Sequence, residues 1–148
     1  MPNKDKPQIS YALTKVRETF FTVQEPPEEW GNDQTPEVGF GFTFAYDLPQ
    51  DTFTIKTKLT YYYEEEVAFE LLRLECDFDF FIQDLTSFIP EQNGESKLPE
   101  GFIAILMGVA LGTLRGIIHV RAAGTFAGQF VLPVLSPIDI VKSAELQD

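Results

Sequence analysis

The stretch LPEGFIAILMGVALGTLRGIIHVRAAGTFAGQFVLPVL, residues 98–135, decides the fold. Its first half has the apolar spacing of one long amphipathic helix, in which buried positions recur every three or four residues. Leu98-Pro99-Glu100 is a start signal, because proline suits the first helical turn and an early acid complements the helix dipole. The sequence therefore predicts a long core helix that begins near residue 100.

A row of small residues runs along this helix at four-residue spacing: Ala104, Gly108, Gly112 and Gly116. Such spacing places them on one ridge, where the missing side chains let another backbone approach closely. Because glycine inside a helix costs roughly 1 kcal/mol relative to alanine, the row requires a packing reason. We interpret it as an oligomer interface between the long helices of two subunits. The alternative is close packing of the helix on its own sheet.

Spaced glycines also occur in helices that dimerise within membranes. The uncharged run from Phe102 ends at Arg115, however, and is shorter than the ~20 residues that span a bilayer. His119 and Arg121 follow soon after. We therefore expect no membrane insertion.

Composition and charge narrow the range of functions. The chain has 148 residues, of which 44% are hydrophobic and 14% aromatic, and this suits one domain with a substantial core. Its formal net charge of −12 disfavours nucleic acid as a partner, because phosphate contacts require Lys and Arg. Residues 1–8 are polar and lack the apolar region of a signal peptide, so we expect a cytoplasmic protein.

Four strands are predicted before the helix; apolar side chains alternate along one face in each of them, imperfectly in the first. Their expected ranges are 9–25, 37–46, 52–63 and 67–82. In the fourth strand the apolar phase shifts near Leu71 and Leu72, which predicts a bulge that keeps both halves facing the core.

A short final helix is expected from Pro137 to Glu145, with Ser136 as its N-cap. Strands followed by helices indicate an α+β fold. We predict a single domain over residues 1–148, in which a four-stranded antiparallel sheet (9–82) precedes two helices packed on one face (98–146).

Few residues offer catalytic chemistry. The single histidine, His119, and the single cysteine, Cys76, lie on different predicted elements, and no local motif pairs them. Asp77 and Asp79 share one strand face and could act as paired carboxylates or hard-metal ligands, but the further ligands and the glycine turn of a calcium loop are missing. We therefore expect a solvated acidic face, no metal, no cofactor and no enzyme activity.

Several short motifs follow one another in the order found in a known family. They are Trp30, Pro36-Glu37-Val38, Glu65-Glu66-Val67-Ala68-Phe69, Arg121 with Gly124-Thr125-Phe126, Leu132-Pro133 and Ile138. Together with the layout of four strands and two helices, they make residues 9–141 resemble the SecB family of export chaperones.

The resemblance implies a protein that holds unfolded polypeptides without ATP and assembles as a dimer of dimers through the long helix. It implies a substrate groove lined by Trp30, Phe40, Phe42 and Phe44. From the residues alone, these phenylalanines could instead be core residues, and for Phe42 the two explanations are equally good. Delivery to SecA, the translocase motor, would use an acidic sheet surface, for which Glu75, Asp77 and Asp79 are candidates.

Two departures from the family pattern concern the partner. Glu70 and Leu72 stand where the family has an apolar residue and then an acid, and the strand near Phe20 and Phe21 lacks the acids expected for a SecA contact. Some SecB-like proteins instead protect a nascent antitoxin of a toxin–antitoxin pair. A hypothesis from another class is a carrier of a lipid-like small molecule, bound between the sheet and the long helix.

Overall fold

The computed structural model describes residues 9–28, 34–64, 68–89 and 98–145. Its main elements are the strands β1 (Tyr11–Val23), β2 (Glu37–Asp47), β3 (Thr52–Tyr63) and β4 (Phe69–Ile82), followed by the helices α1 (Glu100–Arg121) and α2 (Pro137–Glu145). The strands form one antiparallel sheet in the order β1-β4-β3-β2. The predicted α+β class, with a four-stranded sheet before two helices, is confirmed.

The core lies between α1 and the two central strands of the sheet. The inward side chains of β3 and β4 are almost completely buried, because alternate residues of a strand face the same side. On α1 the buried positions with no exposed surface are Leu106, Met107, Ala110 and Leu114. Because α1 packs mainly over the central strands, part of the inner face of the edge strands β1 and β2 stays at the surface.

The predicted bulge is present in β4. Tyr61 of β3 pairs with Leu72, whereas the next residue, Tyr62, pairs with Glu70, so Leu71 is the extra residue. Leu71 and Leu72 are both fully buried. The bulge therefore keeps both halves of the strand facing the core, as the phase shift predicts.

Two further bulges explain the imperfect alternation of β1. The register against β4 skips Thr14 and Thr19. Each threonine hydroxyl donates to a main-chain carbonyl of β4, at 3.1 and 3.2 Å respectively. As a result Glu18 pairs with Cys76 and faces the helices, where its carboxylate lies 3.1 Å from Nε of Arg121.

The segment that follows α1 turns around Thr125. The Thr125 hydroxyl donates to the carbonyl of Ala122 at 2.7 Å and accepts from the backbone nitrogen of Gly128 at 3.3 Å. The backbone nitrogen of Phe126 donates to the Glu25 carboxylate, just beyond β1, at 3.3 Å. These bonds fix one corner that connects the end of α1 to the end of β1.

α2 packs against α1. Val141 is buried, and Cγ of Pro137 lies 3.6 Å from the position that a Cβ would take on Gly108. The Ser136 hydroxyl accepts from the backbone nitrogen of Asp139 at 3.4 Å. The predicted N-cap is therefore confirmed.

α1 is long and apolar enough, by length and composition alone, to cross a membrane, with half of its most apolar 18-residue window buried inside the fold. Core helices of globular domains meet the same criterion. The absence of membrane insertion stays a prediction.

Candidate functional site

An aromatic row follows the inner face of the edge strand β2. The rings of Phe40 and Phe42 have centroids 5.9 Å apart, and those of Phe42 and Phe44 are 5.2 Å apart. Phe44 in turn lies 5.4 Å from the core residue Phe53. All three phenylalanines are partly buried, so the same rings contribute to the core and to the surface.

A cavity of about 300 Å³ lies at the N-terminal end of β2. Its walls are Thr35, Pro36, Val38, Tyr61, Gln129, Phe130, Val131 and Pro133. Apolar surface continues beyond the cavity, since Val131 is 81% and Val134 93% exposed. Val38 is on the same face of β2 as the aromatic row, so row and cavity form one strip. We call this strip the β2 groove; it consists of Phe40, Phe42, Phe44 and the walls of the cavity.

Tyr61 is a buried polar residue in the wall of this groove. Its side chain is 1% exposed, and its hydroxyl has no hydrogen-bond partner among the described residues. Burial raises the pKa of the phenol, and the opposing effect of the nearby Arg115 guanidinium is smaller. The hydroxyl is therefore a neutral donor at neutral pH. Sequence reasoning missed this residue, because the pattern places it among the inward apolar positions of β3.

An uncharged stripe runs along the solvent side of α1. Its exposed residues are Gly101, Ile105, Val109, Gly112, Gly116 and Val120, which we call the α1 apolar face, and the exposed His119 borders this face near its C-terminal end. Ile105 is 54% and Val120 73% exposed. Their three- and four-residue spacing keeps them on one side of the helix along its whole length.

The predicted row of small residues is divided by the fold. Ala104 packs against the core, and Gly108 lies beside Pro137 of α2. Gly112 and Gly116 are exposed, and a Cβ on either would meet no atom within 4 Å outside the helix backbone. For these two glycines, packing on the protein's own sheet is therefore wrong as an explanation.

Glu75, Asp77 and Asp79 share the outer face of the sheet, but cations pair with them. Arg17 makes two hydrogen bonds to the Asp79 carboxylate and lies 3.6 Å from Asp77. Nε of Arg73 lies 3.3 Å from Glu75. On the β3 side, two lysines stand opposite Asp77 and Glu75 in the register: Lys56 and Lys58. This face therefore has mixed charge and is not the solvated acidic surface expected from the sequence.

Lowering the pH is expected to destabilise the fold as Asp79 takes up a proton. Partial burial raises the pKa of this carboxyl, but hydrogen bonds from Arg17 and Thr54 outweigh burial and hold the pKa below its usual range. The stabilisation is thus present above the unfolded pKa of about 3.9 and is lost as the pH falls through the lower folded value. At pH 7 we expect Asp79→Asn to melt at a lower temperature than the wild type. As the pH falls, the melting temperatures of the two proteins should converge.

Melting curves of both proteins from pH 7 to pH 2 measure this effect. Asp77→Asn is the matched control, because Asp77 approaches Arg17 no closer than 3.6 Å. Its melting temperature at pH 7 should fall less than that of Asp79→Asn. Equal melting temperatures of the wild type and Asp79→Asn at pH 7 would show that the pair adds no stability.

The remaining candidates for chemistry lie apart. Cys76 is fully buried, and burial, followed by the charges of Glu18 and Asp77, raises the pKa of its thiol to about 11, so it is a poor nucleophile. His119 is exposed near the end of α1. Among the described residues, no group of three or more His, Cys, Asp or Glu side chains could bind a metal ion.

Some residues that carry the family resemblance lie outside the described parts of the chain. They are Trp30, which was predicted to line the groove, and residues 65–67. The motif that follows Trp30 is described, and its Pro36 is buried in the wall of the cavity.

Comparison with known proteins assigns no family. No protein-family model matches the chain, and no curated protein does. Among solved structures it is similar to a protein of unknown function from Streptococcus agalactiae, with a TM-score of 0.42 and 13% sequence identity over 86% of this chain and 100% of the other.

Proposed function

We propose that the chain is a holdase chaperone that binds unfolded polypeptide segments in the β2 groove without ATP. The observation that carries the proposal is the strip of partly exposed rings on an edge strand, continuous with a cavity and with strongly exposed valines. Contiguous apolar surface of this kind marks interaction sites. Because hydrophobic attraction is non-directional, such a strip suits clients that share no sequence. The net charge of −12 helps to keep a protein with this surface in solution.

We further propose that copies of the chain assemble as a dimer of dimers, in which the α1 apolar face is one of the two interfaces that such a tetramer needs. Support comes from the length of this uncharged stripe and from the open space over Gly112 and Gly116. Helices can cross closely where residues without side chains face one another. Burial in an interface also offsets the cost of exposing residues such as Ile105 to water.

Two observations bear on the alternatives. A lipid-like ligand between α1 and the sheet would displace Leu106, Met107 and Ala110, which have no exposed surface. A SecA contact through Asp79 would compete with Arg17 for the same carboxylate. The paired carboxylates therefore count against a SecA contact through this face. Protection of an antitoxin, the second candidate function, would need the groove alone.

The wild-type protein, in several-fold excess, is expected to suppress the aggregation of a denatured protein diluted into buffer without nucleotide. Phe42→Asp places a charge at the centre of the aromatic row and should abolish most of this protection, because a client would have to desolvate the carboxylate. Light scattering measures the aggregation, and circular dichroism establishes that the variant is folded.

The matched control is Thr43→Asp, the next residue of β2, which is exposed on the opposite face of the sheet. It adds the same charge outside the groove and should protect like the wild type. The holdase proposal is wrong if the wild type fails at several-fold excess and retains a co-purifying small molecule.

A further inference from the structure

Tyr61 lines the cavity of the β2 groove, and its hydroxyl is enclosed and unpaired among the described residues. The residue is 1% exposed, and its oxygen finds no hydrogen-bond partner among the described residues. The neighbouring inward tyrosine of β3 differs, since the hydroxyl of Tyr63 donates to the carbonyl of Gln34 at 2.9 Å. A buried hydroxyl without a partner destabilises the native state, so its presence beside a cavity requires a reason.

The surroundings of this hydroxyl define what could satisfy it. The cavity of about 300 Å³ is lined largely by apolar residues, among them Pro36, Val38 and Phe130. Arg115 is the cation that acts on the Tyr61 phenol, and its Nη2 donates a hydrogen bond to the carbonyl of Pro133 at 3.2 Å. A fitting ligand therefore combines an apolar group with a hydrogen-bond acceptor. An extended polypeptide has both, because each of its residues offers a main-chain carbonyl next to a side chain.

We propose that Tyr61 is a polar anchor of the β2 groove: as an apolar side chain of an unfolded segment enters and widens the cavity, the enclosed Tyr61 hydroxyl donates a hydrogen bond to a main-chain carbonyl of that segment. This inference rests on the proposed holdase function and adds a chemical preference to it. Extended chain with a free carbonyl is bound better than a hydrocarbon tail, which brings no acceptor. The bound carbonyl also satisfies the unpaired hydroxyl. The same oxygen atom therefore lowers the stability of the free protein and raises its affinity for the client.

Tyr61→Phe keeps the ring and removes the hydroxyl. With fluorescently labelled, reduced and carboxymethylated lactalbumin as the unfolded probe, we expect the Kd of the variant to rise about fivefold, the equivalent of one neutral hydrogen bond. Its melting temperature without probe should equal or exceed that of the wild type, because a buried unpaired group has been removed. Fluorescence anisotropy measures the Kd, and a thermal melt measures the stability.

Tyr62→Phe is the matched control, since this tyrosine is adjacent in the strand and faces the other side of the sheet, opposite Glu37. Its Kd should equal that of the wild type. A second groove variant, Val131→Glu, changes an exposed residue of the cavity wall and should also weaken binding without loss of stability.

An unchanged Kd for Tyr61→Phe would overturn the inference at any melting temperature, because the hydroxyl would then contribute nothing to client binding. A failure of the holdase function is recognised separately. In that case the wild type itself would not bind the unfolded lactalbumin, and the inference would fall with it.

Discussion

Gly128→Ala is expected to lower the free energy of unfolding by about 3 kcal/mol, the upper end of the usual cost of overpacking. A Cβ on this residue would lie 2.3 Å from the carbonyl oxygen of Ala122 and 3.1 Å from its carbon. Both are main-chain atoms, so no side-chain rotation can relieve the clash. The same oxygen accepts the 2.7 Å hydrogen bond from Thr125, and moving it would loosen the corner after α1.

Urea unfolding followed by circular dichroism measures this loss. Gly41→Ala is the matched control, because a Cβ on Gly41 would meet no atom within 4 Å. It should unfold at the wild-type midpoint or slightly above it, since alanine restricts the unfolded chain more than glycine. If Gly128→Ala unfolds together with Gly41→Ala, the corner can shift at little cost and the hydrogen bonds of Thr125 do not fix it.

The sheet could be predicted from sequence because a half-buried strand shows its period directly. β3 has the predicted bounds, and the bulge at Leu71 follows from a break in the apolar phase. The bulges of β1 leave only an imperfect alternation in the sequence, which does not locate them, because threonines such as Thr14 and Thr19 are common on either face of a strand. The inward position of Glu18, and its pair with Arg121 103 residues away, depends on them. Periodicity contains no information about a contact at that separation.

The candidate site could be predicted only in part, because exposure depends on strand order. Period two places Phe40, Phe42 and Phe44 on one face, but it does not show that β2 is an edge strand. In the same way it groups the carboxylates of β4, whereas the neutralisation of Asp79 by Arg17 depends on the pairing of β1 with β4. Tyr61 has the pattern of a core residue, and its unpaired oxygen is visible only in three dimensions.

Gly112→Leu is expected to split the proposed dimer of dimers into dimers. Within one protomer the added side chain has open space, because a Cβ on Gly112 meets no atom within 4 Å outside the helix backbone. Where two helices cross at this residue, the leucine would force the backbones apart, and the dispersion contacts across the seam would be lost. Multi-angle light scattering after size separation measures the change in mass.

The same substitution should stabilise the isolated helix by somewhat less than about 1 kcal/mol, since leucine is a far better helix former than glycine. Loss of assembly with unchanged or increased helicity is therefore the signature of an interface, and it excludes unfolding as the cause. Gly112→Ala is the control of intermediate size. Alanine, like leucine, is a better helix former than glycine, but it adds only one methyl group at the crossing and should weaken assembly less than leucine does. A wild-type chain that is monomeric at micromolar concentration, or a Gly112→Leu oligomer of unchanged mass, would show that the α1 apolar face does not join subunits at this glycine.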